Sequence, residues 1–427
     1  MQQTMRLPAL GLISFLVSGI LSATSFVPVS DADLVDQAPV IAVAEVRDAD
    51  TGSGYRVRVE KVLKGAMASG LQIRVRVPGR VRADGMALRI WGAPRLAPGE
   101  RALLFLSPRP DGAYDLVHLM LGVFHEVRSG GHRLALRDLS ETRAVAWPGQ
   151  SLESEALRDF DRFVSWVGQR ARGIRARADY RIRETPGLRA VAEEFTLTQD
   201  DDGYNLRWFR FDSFEGVEWN PHETGQQGLT GGGYAEFYSA LQAWSNSPGT
   251  RTFYVAGDET SVTNGLATYD TVNSFLFNDP NGEVSPFVCG SGGVLAMGGP
   301  WYETATTLYQ GTPYHRIVNA DVVVNDGISC YFDTSPNPSK AAEEIFGHEL
   351  GHTLGLGHSS VPEALMFPSA HNDGRGAALH NDDRAGEAVL YSLPLDAGWN
   401  LPLDFFTVAP CRLLDTRNPD GPTGGPA

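Results

Sequence analysis

The chain has 427 residues, of which 42% are hydrophobic and 20% charged, which excludes an intrinsically disordered protein and allows two or three globular domains. Its formal net charge of −15 is unevenly distributed: residues 1–195 carry 27 Lys and Arg against 22 Asp and Glu, and residues 196–427 carry 9 against 29. The acidic second half offers no basic groove, so we expect no nucleic-acid partner. The uneven split suggests two units of different origin.

An apolar stretch lies near the start of the chain. Residues 7–21 are apolar, Arg6 precedes them and small residues follow. This pattern is typical of a secretory signal peptide that occupies residues 1–24 and is cleaved around its end. The alternative is an uncleaved membrane anchor, but the run is shorter than the ~20 residues needed to span a bilayer and contains Pro8. We therefore expect an exported protein, secreted or at the cell surface, with no membrane span after signal cleavage.

Residues 31–145 show the pattern of short β-strands. Residues 55–62 and 71–77 alternate apolar with charged side chains, which is typical of half-buried strands. Five or more such strands with glycine turns predict a small all-β domain, and the layout loosely resembles the OB-like barrels of netrin-type and TIMP-type modules. This region contains no catalytic cluster, and we expect its arginines to be solvated. Residues 150–190 predict a helical, basic linker.

The second unit, residues 196–395, combines strands and helices. Residues 207–211 predict a strand, and residues 235–244 predict a helix with aromatic side chains on one face. A later helix is expected to begin with Ser339 as its N-cap. Residues 396–427 would form a tail or the start of a further segment.

The three cysteines allow one disulfide in an exported protein. Cys289 and Cys330 could form it, with Cys411 left over, or they could be two buried thiols. The oxygen-bearing side chains at residues 279–283 could bind Ca²⁺ or form a solvated turn.

The densest cluster of metal-binding residue types lies in one short stretch of the second unit. His348 and His352 are four residues apart, so on a helix both side chains face the same way and can bind one Zn²⁺. Glu349 lies beside the first histidine, within reach of a water on such an ion. Gly355 can leave the helix in a left-handed conformation, after which His358 can supply a third nitrogen. Three protein ligands leave one coordination position open, which is typical of a catalytic zinc.

This H-E-x-x-H-x-x-G-x-x-H spacing resembles the motif of the metzincin zinc peptidases. Ser359 after the third histidine, and residues 360–368 around Met366, are similar to the matrixins of bacterial type, relatives of the matrix metalloproteases. Residues 379–391 resemble the last helix of their catalytic domain. The resemblance implies an α+β fold: a zincin or metzincin catalytic domain with a mixed twisted sheet and a zinc-binding helix, preceded by the small all-β domain.

The resemblance also implies roles for individual residues. His348, His352 and His358 would bind one catalytic Zn²⁺, and Glu349 would be the general base. Met366 would form the Met-turn beneath the histidines. Val294, Leu295 and Ala296 would form an exposed edge strand that pairs with an extended peptide substrate. Pro368 would form a wall of the specificity pocket.

The sequence therefore predicts a secreted zinc-dependent endopeptidase that acts on protein or peptide substrates. The alternative is a cell-surface binding module on a metzincin scaffold with little or no turnover, and the intact Glu349 argues against it. In the family, the position of Glu344 sets the depth of the specificity pocket. We expect no structural zinc, and we expect His371 and His380 at the surface.

Latency through a thiolate is excluded for the region upstream of the catalytic unit, because no cysteine precedes Cys289. We hypothesise instead that the positively charged N-terminal half docks on the acidic half. It would either inhibit that half or assist its folding.

Overall fold

Two large β-sheets organise the described part of the chain. The structure is a computed structural model that describes residues 24–49, 54–79, 81–82, 84–129, 132–139, 141–148, 150–152, 155–182, 195–200 and 202–393. Nearly all of the predicted signal peptide and the whole predicted tail lie outside these residues. None of the helices described is long and apolar enough to cross a bilayer.

The described residues form the following strands and helices in chain order. The strands are β1 (Thr24–Val27), β2 (Val40–Ala49), β3 (Tyr55–Lys64), β4 (Gln72–Arg76), β5 (Met86–Leu88), β6 (Arg101–Pro108), β7 (Tyr114–Leu116), β8 (Val123–Ser129), β9 (His132–Leu136), β10 (Arg143–Ala144), β11 (Leu157–Asp159), β12 (Arg181–Ile182), β13 (Phe195–Leu197), β14 (Asn205–Trp208), β15 (Val217–Pro221), β16 (Tyr254–Ala256), β17 (Ser274–Leu276), β18 (Gly293–Tyr309), β19 (Thr312–Val324) and β20 (Leu356–Ser359). The helices are α1 (Asp31–Gln37), α2 (Phe160–Ala171), α3 (Tyr234–Ser245), α4 (Ser329–Thr334), α5 (Pro338–Thr353) and α6 (Asn381–Tyr391).

Five strands of the N-terminal half close into a barrel. Strand β2 pairs with β3 and β6, β3 pairs with β4, and β7 joins β4 to β6. Val57 and Val59 of β3 are fully buried, whereas Arg56 and Arg58 beside them are exposed. The alternation of apolar and charged residues therefore corresponds to the inner and outer faces of this barrel.

Helix α2 packs on the outside of the same sheet, against β3 and β9. Asp159 caps its N-terminus by accepting a hydrogen bond from the backbone N–H of Arg162 at 3.0 Å. Phe160, Phe163 and Val167 form its buried face. The segment predicted as a linker thus contributes a packed amphipathic helix.

The second sheet is mixed and carries the helices of the second half. Its strands run in the order β10-β1-β18-β19-β17-β15-β16, with β14 beside β19 and β5 beside β18. Helices α3 and α5 pack together, and α5 lies against β18 and β19. The indole N–H of Trp244 in α3 donates to the carbonyl oxygen of Gly347 in α5 at 2.8 Å. This half is therefore α+β with a mixed sheet, as the sequence predicts.

Three strands from the N-terminal half belong to this second sheet. They are β1, β5 and β10, and β1 and β5 both pair with β18. The N-terminal half is therefore joined to the half that carries the histidine motif by backbone pairing. The described residues up to Ser392 form one compact unit.

The buried arginines of the described N-terminal half are Arg89, Arg137, Arg143 and Arg158. The first three lie in residues 31–145, where we expected solvated arginines, so that expectation is wrong for them. Arg158 Nη2 lies 2.9 Å from Oδ1 of Asp31, and Arg137 approaches the same oxygen at 3.4 Å. Burial alone would raise the pKa of Asp31, but the two guanidinium groups hold that pKa below its usual value. The partners are 106 and 127 positions apart in the chain. No local sequence pattern reveals such pairs.

The N-cap of helix α5 lies two residues before the predicted one. Asn337, not Ser339, caps it, and its side chain accepts from the backbone N–H of Lys340 at 3.2 Å. Pro338 takes the first helical position, where a missing N–H leaves no partner unsatisfied.

The side-chain carboxylate of Asp279 stabilises the turn at residues 279–283. Asp279 accepts hydrogen bonds from the backbone N–H groups of Glu283 and Val284 at 2.9 and 2.8 Å. Burial, with the nearby Asp279, raises the pKa of Glu283 to about 7. Ca²⁺ binding at this turn stays a prediction.

Cys289 and Cys330 form a disulfide, which decides between the two alternatives for these residues. The bridge closes a loop of 41 positions that includes β18 and β19, so its removal frees a long stretch of the unfolded chain. In the chain-entropy description, such a loop is worth about 4 kcal/mol. We predict that Cys289→Ser with Cys330→Ser lowers the free energy of unfolding by up to about this amount in denaturant titrations.

The matched control for the disulfide is Cys411→Ser, which removes a thiol outside the bridge. An equal loss of stability in the control and the double variant would contradict the assignment.

Candidate active site

Helix α5 positions the first two histidines of the motif. His348 and His352 lie one turn apart and are fully buried. The Nδ1–H of His348 donates to the carbonyl oxygen of Leu365, and that of His352 donates to Leu356, each at 2.8 Å. These bonds fix the tautomer of both rings and leave each Nε2 with a lone pair that can bind a metal ion.

A turn at Gly355 brings the third histidine back to the helix. Gly355 has φ +97°, and a Cβ there would clash with the carbonyl oxygen of Leu206. The chain then enters β20, which pairs with β13. His358 on β20 thereby lies with its Nε2 2.8 Å from Nε2 of His348.

The three imidazoles fit a metal ion. Their ligand atoms all lie within 4.8 Å of one another, and all three rings are buried. Within the described residues, Nε2 of His352 has no hydrogen-bond partner. A buried, unpartnered lone pair is costly unless a cation satisfies it, and three imidazole nitrogens are a common donor set for Zn²⁺.

The electrostatics keep the histidines neutral. Burial lowers the pKa of His352 to about 3 and holds the pKa values of His348 and His358 well below the usual value, with smaller contributions from Arg143 and neighbouring rings. The three rings are therefore uncharged at neutral pH, which is the state in which imidazole binds a metal.

Glu349 lies beside the histidines and is also fully buried. Its Oε1 accepts a hydrogen bond from the hydroxyl group of Ser25 at 2.6 Å. Burial raises the pKa of Glu349 to about 8, because Ser25 and Arg143 offset only part of the desolvation. A carboxyl group with such a pKa can accept and release a proton near neutral pH.

The segment at Met366 supports the histidine helix from below. Met366 is buried, and a Cβ added to Gly351 of α5 would clash with its sulfur. Asp383, at the start of α6, accepts hydrogen bonds from the backbone N–H groups of Leu365 and Met366 at 2.8 and 2.9 Å. The carbonyl group of Leu365 in turn accepts from His348. Asp383 thus orients a histidine through the turn between them.

The predicted substrate strand lies where we expected it but is covered. Val294, Leu295 and Ala296 are fully buried in β18, and β1 pairs antiparallel with this strand from Thr24 opposite Met297 to Val27 opposite Gly293. The prediction of an exposed edge is therefore wrong in this structure. A segment some 270 positions earlier in the chain occupies it.

The opposite rim of the cleft is also paired. The backbone N–H of Ala144 in β10 donates to the carbonyl oxygen of Pro368 at 3.1 Å, and β10 runs parallel to β1. Arg143 of β10 forms an ion pair with Glu344, Nη2 to Oε1 at 2.6 Å, and both side chains are buried. Arg143 is thus one of the arginines for which the expected solvation is wrong.

His371 contacts Glu344, whereas we expected it at the surface. Its side chain is 8% exposed, and its Nδ1 lies 2.8 Å from Oε1 of Glu344. His380 caps α6 by accepting from the backbone N–H of Asp382 at 3.2 Å.

Sequence reasoning missed the contacts that the N-terminal half makes with the site. They come from Ser25, from Arg143 and from Trp91, whose indole stacks on the ring of His352 with centroids 5.5 Å apart. None of these residues lies in a motif, and the one available signal was the charge difference between the halves.

A neutral, buried histidine triad beside a buried carboxyl group, on a helix over a mixed sheet, is the arrangement expected of a metzincin-type zinc site. Comparison with known families agrees: residues 235–392 match the matrixin family, described as Peptidase_M10. Residues 235–392 of the chain are therefore matrixin-like.

Individual relatives match over shorter stretches. Matrix metalloproteinase-9 of Canis lupus familiaris is 53% identical over 47 residues, 11% of this chain and 6% of that protein. Matrilysin of Rattus norvegicus is 53% identical over 45 residues, 10% of this chain and 17% of its own length. Metalloendoproteinase 1 of Glycine max is 33% identical over 127 residues, 29% of this chain and 38% of its own. The chain thus spans well under half of each of these relatives.

The histidine cluster predicts a specific response to chelation. We expect His352→Ala to lose most zinc binding, because it removes one of three donors, and we expect a chelator to lower the melting temperature of the wild type but not of this variant. Zinc content by atomic absorption and calorimetric melting curves measure both effects.

His125→Ala is the matched control, since this histidine binds Glu100 in the N-terminal sheet. It should retain both the zinc and the response to the chelator. If His352→Ala bound zinc as the wild type does, the proposed donor set would be wrong.

Proposed function

We propose that the protein is a zinc-dependent endopeptidase whose ligands are His348, His352 and His358 and whose general base is Glu349. The observation that carries this proposal is the buried carboxyl group of Glu349 next to three neutral imidazoles that fit one metal ion. Zinc at such a site supplies Lewis acidity toward a water molecule and a peptide carbonyl group.

In this proposal Glu349 moves the proton. It takes a proton from the attacking water at Oε1 or Oε2 and delivers it to the nitrogen of the leaving amine, so that water is added across the peptide bond. Oε2 of Glu349 has no hydrogen-bond partner among the described residues, which leaves this oxygen for the water molecule. The buried surroundings exclude bulk water from the carboxyl group.

The peptide would lie along β18, with residues 294–296 pairing to its backbone and Pro368 on the opposite rim. The support is the four-residue strand β1, which already lies there in antiparallel register. Met366 would contribute the apolar floor beneath the histidines.

We further infer that the N-terminal half holds the enzyme latent. Strand β1 takes the place of a substrate backbone, Ser25 occupies Oε1 of Glu349, and Trp91 covers one face of His352. The hydroxyl group of Thr24 also binds the carbonyl oxygen of Trp91, which ties the first two contacts to the third. A peptide cannot enter while these groups remain in the cleft.

The cellular setting belongs to the same proposal. The apolar start of the sequence supports export, and the disulfide fits an oxidising compartment. The substrates would be proteins or peptides outside the cell. The N-terminal barrel would be an OB-like domain that precedes a zincin domain and regulates it.

The base is tested by Glu349→Gln, which keeps the shape of the side chain but removes its ability to take a proton. We expect zinc content to be unchanged and hydrolysis of a fluorogenic peptide to fall by about 10²–10⁴-fold. The variant is compared with the wild type both in the native sequence and together with Ser25→Glu, which opens the cleft.

Glu363→Gln is the matched control, because this glutamate is exposed. It should hydrolyse peptide like its parent. Equal rates for the Glu349→Gln variant and its parent would exclude the glutamate as base, and an absence of hydrolysis in every zinc-loaded form would overturn the peptidase proposal.

Latency is tested by Ser25→Glu in the full chain. Ser25 is fully buried and its hydroxyl group touches Glu349, so the larger glutamate side chain has no room there and would bury a second carboxyl group beside the first. The substitution should therefore expel β1 from the cleft and raise kcat/KM for a short peptide by about tenfold or more. Amide hydrogen exchange of residues 24–27 should accelerate in parallel.

Ser165→Glu places the same charge on the exposed face of α2 and should change neither quantity. The inhibitory role would be refuted by a Ser25→Glu protein in which these amides exchange rapidly while hydrolysis stays at the wild-type rate.

A further inference from the structure

The side chain of Arg143 fills the space between α5 and the segment that follows Met366. Its Nη2 lies 2.6 Å from Oε1 of Glu344 and 3.5 Å from the carbonyl oxygen of Ser369. Its Nη1 lies 3.5 Å from the carbonyl oxygen of Glu344. One planar group with several N–H donors therefore faces a carboxylate and two backbone carbonyl groups, a set of acceptors that matches a guanidinium better than an ammonium group.

Glu344 is held in place without help from Arg143. Its Oε1 accepts from the backbone N–H of His371 at 2.7 Å and contacts Nδ1 of the same residue at 2.8 Å. Its Oε2 accepts from the backbone N–H of Asn372 at 3.3 Å. All of these groups belong to the matrixin domain. The carboxylate is therefore part of the pocket itself.

The charge of Glu344 is also maintained. Burial would raise the pKa of this carboxyl group, but hydrogen bonds from His371 and the charge of Arg143 outweigh burial and lower it. A buried carboxylate without a cation is strongly unfavourable. When the N-terminal half leaves the cleft, the pocket must take up another cation or water.

The pocket lies next to the reacting position. In the pairing of β1 with β10, Ser25 is the register partner of Arg143, and the hydroxyl group of Ser25 touches Glu349. A peptide lying where β1 lies would present a side chain at the position of Ser25. A long side chain there would extend from Glu349 into the space that Arg143 now fills.

We propose that Glu344 is a specificity residue and that the opened enzyme selects substrates that place an arginine side chain in this pocket, with Arg143 as its internal substitute in the closed form. This inference rests on the proposed peptidase function. It names the substrate class of the same site: peptides with an arginine adjacent to the scissile bond.

The cleavage experiment uses the full chain with Ser25→Glu and Arg143→Ala, loaded with zinc. A single arginine is moved along an otherwise neutral fluorogenic peptide, and at the preferred position it is replaced by citrulline, lysine or leucine. We expect kcat/KM to be at least tenfold higher for arginine than for citrulline, which has the same shape without the charge, and higher for arginine than for lysine. Glu344→Gln should reduce the arginine-to-citrulline ratio by tenfold or more.

A binding experiment does not depend on turnover. Arg143→Ala leaves the pocket without its guanidinium, so millimolar methylguanidinium should raise the melting temperature of this variant. The same concentration of methylammonium should raise it less. The wild type and the double variant Arg143→Ala with Glu344→Gln should not respond to methylguanidinium.

The two experiments distinguish a failure of the pocket proposal from a failure of the proposed peptidase function. Stabilisation by methylguanidinium without hydrolysis of any peptide would sustain the pocket and refute the peptidase function. Hydrolysis with equal rates for arginine and citrulline, together with no stabilisation, would overturn the pocket proposal and leave the peptidase function intact.

Discussion

The pairing of β1 with β18 is the interaction on which the arrangement of the cleft depends. An edge strand presents a row of unpaired N–H and C=O groups, and a buried edge without partners is strongly unfavourable. Residues 293–297 of β18 satisfy these groups with residues 24–27 of the same chain. That choice places Ser25 on Glu349 and brings β10 alongside, so the backbone pairing determines which side chains meet the histidines.

Charge selects how the N-terminal half docks. The difference in charge between the halves is spread over the surface, where salt screens it. The pair of Arg143 and Glu344 is different, since its two side chains are 0% and 2% exposed. A buried pair adds little net stability relative to apolar residues, but a misplaced partner leaves one charge buried and alone. The pair therefore fixes the register of docking more than it strengthens it.

The histidine motif could be predicted from the sequence because its geometry is local. A four-residue spacing on a helix and one glycine with positive φ bring His348, His352 and His358 together within eleven positions. The alternation in β3 predicted a barrel wall for the same reason. Ser25 and Glu349 are 324 positions apart, and Arg143 and Glu344 are 201 apart. Such contacts depend on which sheet edge a strand pairs with, and no local sequence pattern in β1 or β10 predicts that edge.

In the proposed latent form, the contacts that cover the site are noncovalent and depend on one another. Strand β10 pairs with β1 on one side and with Ser369 on the other. If β1 leaves, the backbone around Arg143 keeps only the pairing with Ser369. Conversely, if the ion pair of Arg143 with Glu344 breaks, β10 loses an anchor and β1 loses the support of this neighbouring strand. Three contacts are therefore coupled through two short strands. They are the contacts of Ser25 with Glu349, of Trp91 with His352 and of Arg143 with Glu344. With no thiol among the residues before Cys289, the proposed latency would depend on this coupling.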